Sequence, residues 1–288
     1  MIIVSAATGG LGRLVVECLL HRVPAGAVAV AVRNPGRADD LAARGVEVRF
    51  GDYDDLDSLG EAFTGADRLL FISSPHVGAR AAQHQNVVAA ARAAGVGALV
   101  YTSGLGADLI DEGVLGEHHA TEQAVLASGI PHIFLRHPIY SDFFINPGLQ
   151  AAIDAGELTS STAGRGMNTA TRADLAEAAA AVLTDAEPPG RAYNLTGCLW
   201  TFPQLAAVLS NVSGRPVTYR ESDGDEGIMQ VIGPMVRSGG FEFQTDDLTR
   251  LLGHPPTNLE DAIIATLKPL SDRRWSAPAP PLVPHPGD

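Results

Sequence analysis

The sequence predicts an α/β fold, a doubly wound parallel sheet followed by a smaller C-terminal α/β lobe. Three observations predict it. Short apolar runs alternate with helical patterns over the first half of the chain. Several of those runs are apolar on both faces, as strands buried between two helix layers must be. A glycine-rich turn joins the first run to the first helix, the Rossmann-type arrangement. Residues 1–5 read as the first strand, and Leu11, Leu14, Val15, Cys18 and Leu19 then recur at helical spacing. Residues 28–32 give a second strand, with helical material around 37–43; residues 46–50 give a third, with a helix near 56–63. Residues 69–72 give a fourth strand and 81–94 an alanine-rich helix; 99–102 a fifth, with a helix from about 118 to 127; and 133–135 a sixth.

After Arg136 the rhythm changes. Residues 146–155, 173–183 and 202–213 predict helices, and 192–195 and 217–219 short strands. The expected organisation is a nucleotide-binding core over 1–137 and a substrate lobe over 138–270, interleaved with the core and covering the open edge of its crevice. A proline-rich, mobile tail is expected over 275–288.

Composition narrows the function classes. With 45% hydrophobic and 18% charged residues the chain can bury a large core. A net charge of −13 argues against nucleic acid or an anionic membrane as partner, since both call for basic surfaces. Cys18 and Cys198 make neither a disulfide framework nor a metal spacing. No secretory leader and no apolar run of membrane-spanning length is visible, so a soluble cytoplasmic protein, monomeric or homodimeric, is expected.

The string Val4-Ser5-Ala6-Ala7-Thr8-Gly9-Gly10-Leu11-Gly12 follows a strand and opens a helix. Peptide N–H groups there, with the positive end of the helix dipole, suit a pyrophosphate, and Thr8, Gly9, Gly10, Leu11 and Gly12 are its candidate contacts. A GxxGxxG spacing would place glycine at position 6, where Ala6 stands; the turn is expected to survive if Ala6 keeps a negative φ. Arg33 ends the second strand, where an NAD site carries an acid for the ribose. A guanidinium there instead suits the 2′-phosphate of NADP. Asp52, after the third strand, is a candidate adenine contact, and Ser73 and Ser74, after the fourth, are candidates for the same crevice.

Taken in order, AATGGLG, AVRNP, GDYDD, FISSP, QHQNVVAAARAAGV, YTS, LASGI-x4-LR, TRADLAEAAAAVL, FPQLAAVLSNVSGRPVTY and LLGHPPT resemble the NmrA-like atypical short-chain dehydrogenase/reductases, in their NAD(P)H:quinone oxidoreductase-like branch. The resemblance reaches to about Leu267. It implies a Rossmann fold, NADPH, and reduction of a quinone or carbonyl compound. The family also includes redox sensors that bind the dinucleotide and catalyse nothing.

Most short-chain reductases protonate the carbonyl oxygen with the tyrosine of a Tyr-x3-Lys pair, assisted by a serine. Counting back from Glu122 and Ser128-Gly129, the lysine position falls on His118 and the tyrosine position on Val114. Ser103 matches the serine, able to hydrogen-bond a substrate oxygen or to cap structure. His118 is a candidate to hold the ribose or donate a proton, because histidine titrates near neutrality. His137 and Pro138 follow the sixth strand, where this fold lays backbone against the nicotinamide. Tyr140, Phe143 and Phe144 are candidates to stack on a flat aromatic substrate, or to pack in the core.

Without the tyrosine, a simple aliphatic ketone is a poor hydride acceptor. A quinone is a good one, and so is a polycyclic aromatic ketone with a neighbouring phenol, such as an aromatic polyketide of antibiotic biosynthesis. The expected activity is NADPH-dependent reduction of such a compound, with the proton supplied by substrate or solvent. The competing readings are an NADP(H)-binding sensor that regulates a partner, and an isomerase or epimerase.

Overall fold

The computed structural model describes residues 1–185, 189–224 and 226–267. The tail expected over 275–288 lies outside them. In chain order the elements are β1 (Ile2–Ser5), α1 (Gly10–Leu20), β2 (Val28–Val32), α2 (Asp39–Ala42), β3 (Glu47–Phe50), α3 (Leu56–Ala62), β4 (Arg68–Phe71), α4 (Arg80–Ala93), β5 (Ala98–Gly104), α5 (Gly113–Ser128), β6 (His132–His137) and β7 (Ile139–Tyr140). They continue with α6 (Leu149–Ala155), β8 (Glu157–Ser160), β9 (Met167–Ala170), α7 (Arg172–Thr184), β10 (Arg191–Asn194), β11 (Cys198–Trp200), α8 (Phe202–Ser213), β12 (Thr218–Glu221), α9 (Met229–Arg237), α10 (Asp247–Leu252) and α11 (Leu259–Leu267).

Two compact units result. Among the described residues, one comprises Met1–Tyr140, Thr169–Gly197 and Gln244–Leu252; the other comprises Ser141–Asn168, Cys198–Phe243 and 253–267. The first unit holds a seven-stranded sheet of order β10-β6-β5-β4-β1-β2-β3, with every strand pair parallel. The apolar runs split by strand alternation. Val4, Val28, Val30, Val32, Leu70, Val100 and Leu135 face one way and pack with α1, α7 and α10. Ile3, Ala29, Leu69, Phe71, Leu99, Tyr101 and Phe134 face the other way and pack with α3, α4 and α5. Each fully buried Val, Leu, Ile or Phe side chain contributes about 1.5–3 kcal/mol, so both faces commit the sheet to one register. The chain returns late to this unit: Leu248 and Leu252 of α10 enter the core, and Asp247 Oδ2 accepts the Asn194 N–H at 2.8 Å.

In the second unit β8 and β12 pair in parallel, and α8 is set by a capping box between Thr201 and Gln204. Phe144, Trp200 and Phe202 form its aromatic cluster, with ring centroids 5.2–6.0 Å apart.

The predicted strands of the core all form. Differences cluster at element ends. The stretch near 37–43 is a 3-10 turn over Pro35–Ala38 followed by the single α turn of α2. α5 starts at Gly113, earlier than expected. α6 starts at Leu149, because Asn146 Oδ1 takes the Gly148 N–H at 2.8 Å and closes a turn in place of helix. β7, β8, β9, β11, α9, α10 and α11 were not legible, being short or weakly periodic. Among the described residues no helix is long and apolar enough to cross a membrane, and no group of His, Cys, Asp or Glu side chains is arranged to hold a metal ion.

Candidate functional site

The strand order reverses between β1 and β4, so the carboxyl ends of β1, β2, β4, β5 and β6 open on the crevice where such sheets bind ligands. At the end of β1 the chain turns sharply. Ala6 adopts φ +50°, contrary to the expectation that it would keep negative φ. Its N–H donates to Ala31 O and its carbonyl accepts from Gly9 N–H, both at 3.0 Å, so the hairpin of backbone bonds holds it left-handed at a cost of about 1–2 kcal/mol. Gly12 is required by close approach: a Cβ there would lie 2.7 Å from Ala7 Cα and 2.8 Å from Ala6 O. Gly9 caps α1 without a side-chain bond, and the first turn of α1 carries no acid. The helix therefore offers its N–H groups and positive end to an external anion, with Thr8, Gly9, Gly10, Leu11 and Gly12 at the turn. This cradle fits a dinucleotide pyrophosphate.

Arg33 is exposed just beyond β2, and its guanidinium makes no hydrogen bond or ion pair among the described residues. The same is true of the side chain of Arg37, which sequence reasoning did not single out. The segment carrying them is fixed to α1, since Arg13 donates to Asp40 Oδ2 at 2.6 Å and to Arg37 O at 2.8 Å. Asp52 is engaged in its own turn: Oδ1 accepts the Asp54 N–H at 3.2 Å. Ser73 donates its N–H to Thr102 Oγ1 at 2.9 Å. Ser74 is buried, and its hydroxyl donates to Gln83 Oε1 at 2.5 Å, which ties it to α4. Arg172 is a second unforeseen neighbour. The packing of α7 on α1 puts its Cδ 3.7 Å from where a Cβ of Gly10 would stand, with its guanidinium 4.8 Å above the Tyr140 ring.

The ends of β5 and β6 hold two buried polar clusters. In the first, Ser103 Oγ donates to Glu122 Oε1 at 2.6 Å. The Glu122 carboxylate also accepts Arg136 Nε at 2.9 Å and Nη2 at 2.7 Å, and Arg136 Nη1 lies 2.8 Å from Asp108. The Ser103 proton is thus spent on a structural ion pair. In the second, Tyr101 Oη and His118 Nδ1 lie 2.7 Å apart. His84 accepts the Ser74 N–H on Nε2 at 3.0 Å and faces Thr121 Oγ1 with Nδ1 at 2.8 Å. Thr121 gives its own proton to Glu117 O, so His84 carries its proton on Nδ1. Burial, with the positive Arg80 nearby, pushes His118 down to about 3. The idea of a histidine titrating near neutrality at position 118 is therefore corrected: the ring is neutral because water is excluded from it. His84 is likewise pushed down to about 3 by burial.

His137 is buried, with its carbonyl accepting the Leu105 N–H at 2.8 Å and Nδ1 3.3 Å from Tyr140 Oη; Pro138 behind it is buried as well. Phe144 is a core residue of the second unit, against Trp200 and Phe202, rather than a substrate contact. Phe143 is half exposed. Cys18 and Cys198 are free thiols, and burial pushes Cys18 up to about 11, which makes it inert.

Comparison with known proteins agrees with this geometry. Quinone oxidoreductase 2 of Escherichia coli is 39% identical over 279 residues, covering 91% of this chain and 97% of that protein. The crystal structure of the Citrobacter sp. triphenylmethane reductase complexed with NADP(H) superposes with a TM-score of 0.87 at 38% identity, over 93% of this chain and 100% of that one. An NmrA-like family domain-containing oxidoreductase of Aspergillus flavus is 29% identical over 305 aligned residues, 95% of this chain and 97% of that protein. Residues 6–186 match the NAD(P)H-binding family, and the chain is a member of that family.

Proposed function

We propose that the chain is an NADPH-dependent oxidoreductase that reduces a quinone-like or polycyclic aromatic carbonyl compound, an aromatic polyketide among the candidates. The observation that carries the reading is the combination of an anion cradle at Gly9–Gly12 with two uncommitted guanidinium groups, Arg33 and Arg37, past the next strand. The cradle suits the pyrophosphate and the guanidinium pair suits a 2′-phosphate. When bound, NADPH supplies a hydride. Relatives named for quinone and triphenylmethane reduction support the acceptor class.

The residues around the crevice favour an acceptor that needs no strong protein acid. Val114 stands at the position of the usual tyrosine and His118 at that of the lysine. The one lysine of the chain is Lys268, with Ile264 four positions before it, so no Tyr-x3-Lys pair exists anywhere in the sequence. His118 is neutral, and Ser103 gives its proton to Glu122. A quinone that takes hydride becomes an aromatic hydroquinone anion, whose charge is delocalised and whose last proton comes from solvent. An aliphatic alkoxide has no such outlet and would need a strong acid beside it, a role that neither Ser103 nor His118 is placed to fill.

The test is turnover by the purified chain with NADPH against a panel of quinones, polycyclic ketones and aliphatic ketones. Quinone reduction with aliphatic ketones inert supports the reading. Tight NADPH binding with no acceptor consumed would leave a dinucleotide sensor as the better description. The immobilised Ser103 and neutral His118 would then be scaffold alone.

A further inference from the structure

One polar atom at the carboxyl end of β6 is buried with nothing to bond. His137 is 6% exposed, and its Nε2 has no hydrogen-bond partner among the described residues. A buried polar nitrogen left unpaired costs about 1–3 kcal/mol, so such an atom calls for a partner from outside the fold: a ligand, an ion or a bound water. The ring is held in place from several sides. Its backbone pairs with Gly104 in the β5–β6 register, its carbonyl takes the Leu105 N–H at 2.8 Å, and Pro138, directly after it, holds the His137 backbone extended. Burial, reinforced by nearby His118, pushes the ring down to about 3, so it is neutral and one nitrogen carries the proton. Nδ1 faces Tyr140 Oη at 3.3 Å, and we assign the phenol as the donor of that contact, which makes Nε2 the nitrogen that bears the hydrogen. This atom belongs to the strand end that, in an open parallel sheet, borders the ligand crevice.

We propose that His137 Nε2–H hydrogen-bonds a carbonyl oxygen at the reacting end of the crevice. This rests on the reductase reading above and adds a recognition group to it. A carbonyl oxygen can come from two sources there, the nicotinamide carboxamide or the quinone. If the oxygen is the quinone's, negative charge grows on it as the hydride adds to the ring system, and a fixed N–H aimed at it stabilises that charge. The neutral imidazole keeps its proton throughout, and solvent delivers the proton that completes the hydroquinone. If the oxygen is the carboxamide's, the bond sets the orientation of the nicotinamide.

His137→Phe keeps a ring of similar size without the donor, and His137→Asn keeps a donor. The readouts are the NADPH dissociation constant by fluorescence titration, kcat/KM for a benzoquinone, and the 15N resonance of His137 Nε2 in the wild-type protein on adding NADP+ and then a hydroquinone. For the quinone source, His137→Phe leaves the NADPH constant unchanged and lowers kcat/KM by about tenfold or more, His137→Asn recovers most of it, and the Nε2 resonance moves with hydroquinone. For the carboxamide source, His137→Phe raises the NADPH constant by about tenfold and the resonance moves with NADP+ alone. An Nε2 resonance unmoved by either ligand overturns the proposal, even where His137→Phe fails to fold. So does a folded His137→Phe that changes neither constant by more than about twofold. A wild-type protein that turns over no quinone, yet whose Nε2 resonance moves with NADP+, would remove the reductase reading and leave this bond standing.

Discussion

Ser103 Oγ donates to Glu122 Oε1 at 2.6 Å, and the same carboxylate is held by Arg136 through Nε and Nη2. The hydroxyl at the family serine position is therefore part of a buried ion pair. Ser103→Ala is expected to retain quinone reduction within about threefold while costing about 1–2 kcal/mol of stability, since a hydrogen bond to a charged group is lost. Glu122→Ala is expected to cost more, about 3 kcal/mol, because it leaves Arg136 Nε and Nη2 unpaired in a buried site, with the part-exposed Asp108 as the remaining counter-charge. Urea unfolding of the two variants, with NADPH oxidation measured alongside, checks both; a Ser103→Ala protein that is stable but inactive would restore Ser103 to the chemistry.

Arg33 has no partner among the described residues. Arg33→Ala should weaken NADPH binding by about tenfold or more and NADH binding by less than about twofold, as expected for loss of a charge-assisted phosphate contact. The double variant with Arg37→Ala should go further in the same direction. Equal losses for the two cofactors would remove the 2′-phosphate argument.

The turn after β1 makes opposite demands at two positions. At Gly12 a methyl would meet backbone at 2.7 and 2.8 Å, neither of which can move without shifting α1. Gly12→Ala is expected to destabilise by several kcal/mol or to abolish dinucleotide binding in whatever protein folds. At Ala6 the chain already carries a methyl at φ +50°. Ala6→Gly should relieve it and raise stability by about 0.5–1 kcal/mol, seen as a higher urea midpoint with unchanged NADPH affinity.

His84, His118 and His137 each bind a proton less tightly in the fold, at about 3, than at the ordinary value of 6.5. Between those values the unfolded chain holds more protons, so stability falls as pH drops below about 6.5 and is flat, for these groups, above it. Each independent histidine contributes a slope of about 1.4 kcal/mol per pH unit, and coupled ones titrate as a set. Unfolding free energies measured from pH 5 to 8 should show this slope between pH 5 and 6. His118→Gln should reduce it by one histidine's share, leaving the parts that belong to His84 and His137. A wild-type slope near zero would mean that these rings are solvated.

Much of the fold was legible because apolar alternation and glycine placement are local. The run Val28–Val32 is buried along its whole length, as a central parallel strand must be, and Gly9, Gly10 and Gly12 marked the anion turn before any coordinates existed. Arg33 was readable for the same reason, as a strand-end residue at a set distance from that turn. Ser74, Ser103, His118 and Phe144 were harder: each has a residue type that permits chemistry, and only its neighbours decide whether it has any to perform. Glu122 lies 19 positions from Ser103, and Arg136 14 from Glu122, separations at which sequence carries no contact information.

By itself, then, the order of residues determined the parallel sheet and the glycine-rich turn at the head of the first helix, since these depend on periodicity and on what glycine and β-branched side chains permit; the point at which the strand order reverses came from the structure. Tertiary structure alone decided which polar groups remain for a ligand. That choice turns on burial and on partners brought from distant segments: a buried serine beside Glu122 commits its O–H to an ion pair, and a buried imidazole loses its charge when water is excluded.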